Sequence, residues 1–313
     1  MTSTSKGDRR NIFAANVREV AAHNSIRQQW TKGINEYSDM SEAEFFSHFN
    51  IRAEQNCSAT KRPLASQNIE EILRGVPTTW NWQDFGVVTP VKNQGKCGSC
   101  WTFSTVGCIE AHYMLKTGQF RNLSEQQLVD CAGDFDNHGC EGGLPSHAFE
   151  YIMYAGGLTD EASYPYMAVD QKCNVNAIDP IVAVQGGSVN ISTSEVDMQV
   201  ALFENGPVSV AFQVIDGFKN YAGGVYANST CKNGTDNVNH AVLAVGYGTE
   251  AGVDYWLIKN SWGAAWGLAG YFKMQRGVNM CGVAMCNSYP ASVIDANLLN
   301  NQRQTEETLA EML

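Results

Sequence analysis

The chain has 313 residues, 44% apolar and 17% charged, which excludes a disordered or fibrous protein and leaves room for a sizeable core, or for a proregion ahead of a two-lobed domain. Its net charge of −11 is unevenly placed: residues 1–75 hold 10 Lys/Arg against 9 Asp/Glu, and residues 76–313 hold 11 against 23. So acidic a body repels nucleic acid and anionic lipid, so neither is expected as a partner, and no stretch is long and apolar enough to span a membrane.

Residues 8–31 are polar, with Ile12, Phe13, Val17 and Val20 at three- and four-residue steps, which predicts an amphipathic helix followed by a turn at Gly33. Ser41, with Glu44 three residues on, forms a capping box that opens a second short helix through Phe45, Phe46 and Phe49. Residues 50–75 lack periodicity and read as a linker; the composition shifts at Val76-Pro77. A loop rich in Gly, Pro and Asn leads to an unbroken helical stretch from Cys100 to about Lys116, stopped by Gly118. Ser124-Glu-Gln-Gln127 opens a short helix to Cys131, and another runs from Pro145 to Gly156-Gly157. Beyond residue 180 come strand-length runs at Pro207–Phe212, His240–Tyr247 and Tyr255–Lys259. With helices first and strands after, the expected fold is an α+β body of two lobes.

Ten cysteines and five Asn-x-Ser/Thr sequons, at Asn56, Asn122, Asn190, Asn228 and Asn233, point to disulfides, glycans and export. The first ten residues carry no apolar run that could serve as a signal peptide, so the expectation is a chain incomplete at its N-terminus or one that is not exported.

The chemistry is concentrated in Gln94-Gly-Lys-Cys-Gly-Ser-Cys100-Trp101, a loop that delivers a cysteine to the first position of a helix. A thiolate there faces unpaired N–H groups and the positive end of the dipole, which predicts a lowered thiol pKa. A base and its orienter are then expected far downstream. His240 lies 140 residues on, at the head of a strand, and Asn260 follows in Lys-Asn-Ser-Trp-Gly, placed to accept the imidazole N–H. Cys97 and Cys100 also form a C-x-x-C, but no βαβ pattern and no second ligand pair accompany it, so neither a redox pair nor a metal is expected. His23, His48, His112, His138 and His147 stay unassigned.

Gln94, Cys-Gly-Ser-Cys-Trp, Asn-His-Ala and Asn-Ser-Trp-Gly resemble the active-site blocks of the papain family over residues 76–293. The resemblance implies that Cys100 and His240 form a thiolate/imidazolium pair, that Asn260 orients His240, and that Gln94 and the Cys100 N–H form the oxyanion hole. Trp262 would shield the His/Asn contact, and Gly142 and Gly143 would bind substrate backbone. Leu144, Pro145, Ala211 and Ala241 would line a pocket for apolar or aromatic side chains. It also implies the pairs Cys97–Cys140, Cys131–Cys173 and Cys231–Cys281. Cys108, eight residues along the helix, reads as a small buried hydrophobe. No cofactor is implied; the implied partners are peptide substrates, the chain's own propeptide and cystatin-type inhibitors, in a lysosomal or secreted setting.

Arg9-x3-Phe13-x2-Asn16-x3-Val20-x3-Asn24 and Gly33-x-Asn35-x-Tyr37-x-Asp39 resemble the two propeptide motifs of the same family, with Ser5 where a leading Glu would stand. Gln55-Asn-Cys-Ser-Ala-Thr60 and Asp134-Phe-Asp-Asn-His-Gly-Cys140 are similar to the cathepsin H branch, in which a short propeptide piece stays disulfide-linked and blocks the non-primed cleft. Carried over, residues 53–60 would be that mini-chain, Cys57 would bridge to Cys286, and Thr60 would meet the substrate's amino end; the alternative is a disordered, glycosylated linker. The expected organisation is propeptide 1–75, peptidase 76–293 and polar tail 294–313. The expected activity is mainly aminopeptidase with weaker endopeptidase action. The alternatives are an unrestricted endopeptidase and a silent papain-like scaffold, and the presence of Cys100, His240 and Asn260 argues against the last.

Overall fold

The computed structural model describes residues 6–51 and 73–299. Its first helix, α1 (Lys6–Ser25), ends sooner than the periodicity predicts, and Trp30–Lys32 form strand β1 instead of further helix. Nor is α1 held by its apolar stripe: Phe13 and Val17 are exposed, while Asn16, the one buried residue, donates through Nδ2 to the carbonyls of Ser38 and Met40. Helix α2 (Glu42–His48) starts at Ser41, whose hydroxyl accepts the Glu44 N–H while the Glu44 carboxylate takes the Ser41 N–H.

In the body, β2 (Trp80–Asn81) precedes the long α3 (Cys100–Thr117), buried along most of its length and closed by Gly118 at φ 70°. Helices α4 (Glu125–Cys131) and α5 (Pro145–Tyr154) complete the helical lobe, α4 capped by the Ser124 side chain on the Gln127 N–H. Then come β3 (Val182–Asn190), α6 (Glu195–Asn205), β4 (Val208–Phe212), β5 (Tyr221–Tyr226), β6 (His240–Glu250), β7 (Val253–Lys259), β8 (Tyr271–Gln275) and β9 (Ser288–Asp295). Helix α6 interrupts the expected run of strands; Ser194 caps it by accepting the Asp197 N–H, a signal visible in Ser-Glu-Val-Asp.

The sheet order is β1-β5-β8-β7-β6-β4-β9-β3, with β2 on β6; β5 and β8 are parallel, and the other pairs antiparallel. Two apolar cores result. One joins α3, α4 and α5 to one face of β6, with Trp101, Ile109, Phe149 and Leu243. The other lies in the strand-rich lobe, with Phe212, Trp256, Trp262 and Phe272, and takes in Trp30, Tyr37, Phe45 and Phe49 from the segment before the body. Each such aromatic, fully buried, contributes roughly 1.5–3 kcal/mol. β9 runs past residue 293 to Asp295, and Ala296 and Leu299 are buried beside Ala183, so the packed body extends into the expected tail. Among the described residues, no helix is long and apolar enough to cross a membrane.

Candidate active site

The two cores meet where α3 begins and β6 begins. Cys100 is the first residue of α3 and His240 the first of β6; the Ala241 N–H donates to Cys100 Sγ at 3.4 Å, which sets His240, one residue earlier, beside the thiol. Asn260, just beyond β7, places Oδ1 2.8 Å from His240 Nε2, and the same oxygen accepts the Ser261 N–H at 2.9 Å, which fixes the amide's orientation. An acceptor at Nε2 selects the tautomer protonated there and leaves the Nδ1 lone pair free. Nδ1 is buried with no hydrogen-bond partner among the described residues. The Trp262 ring stacks on the imidazole at 4.7 Å between centroids and is wholly buried, so water is kept from the His/Asn contact.

Electrostatics with the leading segment docked run opposite to the sequence expectation for the thiol. Burial pushes Cys100 up to about 11, against the pull of the backbone N–H groups of Ala241, Trp101 and Cys100 itself. Burial also pushes His240 down to about 4, against the Asn260 hydrogen bond. Burial thus disfavours the charged form of each group. The helix terminus is present, as the sequence indicated, but loss of water outweighs it.

Gln94 is buried and fixed at both ends of its amide: Oε1 accepts from Ser261 Oγ at 2.7 Å, and Nε2 donates to the Cys97 carbonyl at 2.9 Å, leaving one further N–H. Ser261 was not singled out in the sequence, although it sits inside the Asn-Ser-Trp-Gly block. Lys259 is likewise held from below, donating to Thr89 Oγ1 at 3.0 Å while Thr89 donates to Glu110 Oε2 at 2.6 Å. Gly143 is needed at its position because a Cβ there would come within 2.7 Å of the Trp101 ring, and Gly142 beside it has φ 118°. Leu144, Pro145, Ala211 and Ala241 line one pocket together with Gly143, His240, Asn190 and Cys286. Its empty volume, open side included, is about 470 Å³.

Three disulfides join Cys97 to Cys140, Cys131 to Cys173 and Cys231 to Cys281. Cys100 and Cys108 are free and buried. Cys108 donates to the Pro207 carbonyl, and burial raises its thiol pKa further than that of Cys100. Cys286 is disulfide-bonded. Cys57, Asn56 and Thr60 lie outside the described residues. Of the remaining sequons, Asn122 and Asn233 are exposed, Asn228 is half-buried, and Asn190 is in the pocket wall.

The segment before the body reaches this site from the strand-rich side. Tyr37 donates to the Trp262 carbonyl at 2.9 Å, Phe49 stacks on the Trp262 ring and Phe45 meets it edge-on. Asn50 Nδ2 donates to the Cys140 carbonyl at 2.7 Å, next to Gly98. Tyr37 stands inside a motif quoted above, but its contact with Trp262 could not be read from spacing.

Comparison with known proteins agrees with this geometry. Residues 76–291 match the model of the papain family cysteine protease, and residues 2–45 match the cathepsin propeptide inhibitor domain. The chain is 52% identical to Cysteine proteinase 3 of Solanum lycopersicum over 281 residues, covering 89% of this chain and 77% of that protein. It is 47% identical to Pro-cathepsin H of Mus musculus over 294 residues, covering 92% and 86%. Among solved structures, digestive procathepsin L2 proteinase from Tenebrio molitor larval midgut superposes with a TM-score of 0.81 at 36% identity, covering 93% and 94%. A buried cysteine at a helix start beside an Asn-oriented histidine, under a docked leader segment, belongs with these relatives: the chain is a cysteine protease of the papain family, carried with a cathepsin-type propeptide inhibitor domain.

Proposed function

We propose that Cys100 is the nucleophile, His240 its base and Asn260 the orienter, in a peptidase that acts mainly as an aminopeptidase with weaker endopeptidase action. One observation carries the catalytic assignment: the Ala241 N–H on Cys100 Sγ brings the thiol and the head of the His240 strand to one place, with His240 Nε2 held by Asn260. When the propeptide leaves and water returns, the thiol proton passes to Nδ1 and the thiolate/imidazolium pair forms. Sulfur adds to the substrate carbonyl while the Gln94 side-chain amide and the Cys100 N–H take the oxyanion. The C–N bond breaks as His240 protonates the amine, and water, deprotonated by His240, then hydrolyses the thioester. Asn260→Ala should lower kcat by about 10–100-fold with KM little changed, because ring orientation is lost and the nucleophile is kept. Unchanged kcat in steady-state assays would remove Asn260 from the mechanism.

The aminopeptidase reading is supported by the Pro-cathepsin H relatives and by Cys286, which is disulfide-bonded and lines the pocket with His240. In this reading residues 1–75 are the propeptide, residues 53–60 the retained mini-chain, and the body from residue 76 the peptidase. The pocket of Leu144, Pro145, Ala211 and Ala241 takes apolar side chains, and Gly142 and Gly143 bind substrate backbone. Glycans at the exposed Asn122 and Asn233, cystatin-type inhibitors, and a lysosomal or secreted setting complete it. Its test is the ratio of kcat/KM for a free-amine substrate to that for its N-acylated twin, expected well above one in the processed enzyme.

Maturation should be faster at about pH 4.5 than at about pH 7.5, values that bracket ordinary histidine titration. Asp39 takes part through its backbone carbonyl, which accepts from Arg9. Histidines of the propeptide are better placed. Burial against Trp30 lowers the pKa of His23, whose neighbours are Lys32 and Glu19; burial against Tyr37 and Phe49 lowers that of His48, and Lys96 adds to it. Where the segment leaves the body and also unfolds, that burial is lost and both rise toward the ordinary 6.5. The undocked form binds more protons below that value, so docking is at full strength above it and weakens as pH falls through it. A His23→Gln, His48→Gln precursor should show a smaller pH contrast in processing rate. An unchanged contrast would place the trigger elsewhere.

A further inference from the structure

We propose that loop Asp216–Asn220 is a carboxylate-reading latch, and that the ion pair between its Lys219 and Glu42 determines whether this chain's propeptide stays seated. The inference rests on the reading of the leading segment as an inhibitory propeptide. Lys219 is buried, its side chain 1% exposed, and its ammonium donates to Glu42 Oε1 at 2.9 Å and to the Met40 carbonyl at 3.0 Å. Both acceptors belong to the propeptide. The loop's backbone is held from both sides: the Trp266 indole of the body donates to the Lys219 carbonyl at 2.9 Å, and Asn35 Nδ2 of the propeptide donates to the same oxygen at 2.7 Å. Gly217, at φ 86°, turns its own N–H to Glu42 Oε1 at 3.2 Å, and a Cβ there would press on Lys32 Nζ at 2.6 Å. Lys32 is already paired with Glu19, which leaves Glu42 to Lys219. Asn220 repeats the pattern, donating to the Gly33 carbonyl and to Ser38 Oγ. The whole loop is thus built from the body and aimed at residues 33–42.

Aromatic burial by Trp30, Tyr37, Phe45 and Phe49 is non-directional and would accept many segments. A buried ammonium discriminates, because losing its carboxylate leaves an uncompensated charge, whereas removing both charges leaves none to compensate. Glu42 therefore marks the chain's own propeptide as the matching partner.

The test uses the full precursor carrying Cys100→Ala, with hydrogen exchange of the Trp30–Gly33 amides as the readout of undocking. Glu42→Gln and Lys219→Glu should each speed that exchange at least about tenfold, and the neutral pair Glu42→Gln with Lys219→Met should exchange several-fold more slowly than Glu42→Gln alone. The Cys100–Thr117 amides, inside the helical lobe, should not change in any variant, which separates undocking from general loosening. If Lys219→Glu does not fold, the neutral pair set against Glu42→Gln carries the comparison on its own. Exchange in Glu42→Gln equal to the parent, or a neutral pair no slower than Glu42→Gln alone, overturns the latch. Self-cleavage of the Cys100→Ala precursor would instead count against Cys100 as nucleophile, and exchange would then be read on the uncut fraction.

Discussion

Replacing Cys57 by Ser, or deleting residues 53–60, should lower the ratio of kcat/KM for a free-amine substrate to that for its N-acylated twin by at least about tenfold, the size of a lost charge-assisted hydrogen bond. Whatever is bonded to Cys286 is tethered at the wall of the pocket that holds His240, Leu144 and Ala211. If that tethered piece is the mini-chain, the Thr60 carboxylate freed by cleavage before Lys61 pairs with the substrate's α-ammonium. Longer chains meet a steric block, so one element rewards a free amine and excludes an acylated one. Its loss should therefore act in both directions, with free-amine hydrolysis falling and N-blocked hydrolysis rising. A ratio unmoved by either change would leave an unrestricted endopeptidase.

The placement of the candidate site was legible because it is carried by short blocks: a loop into a helix start at Cys100, a strand head at His240, and an amide at Asn260 just past another strand. The structure brings all three together. The helix caps at Ser41 and Ser124 were legible for the same local reason. What the sequence concealed depends on packing. Phe13 and Val17 have helical spacing, yet both stay exposed, and Asn16 holds α1 instead. The direction of the Cys100 shift was misjudged because a helix terminus is visible in a sequence whereas exclusion of water is not. Strand β1 and the Lys219–Glu42 pair join residues some 180 apart, which no periodicity reports. Helix α6 was hidden for a different reason: its capping signal at Ser194 lies among strand-rich runs, and the surrounding pattern masked it.

Formation of a thioester at Cys100 is the central claim, and trapping it tests that claim most directly. Processed enzyme mixed with an amino acid ester and quenched in acid within one turnover should carry one acyl group, mapped by fragmentation to Cys100 and not to Cys108, which lies in the same helix with its thiol raised still further by burial. In parallel, Cys100→Ala should lose at least about 10,000-fold in kcat/KM while its Tm stays within a few degrees of the parent, since alanine removes one sulfur from a site closed by Trp101 and Ala241. An acyl group on any other residue, or a folded Cys100→Ala enzyme that still turns over peptide amides, would contradict the account.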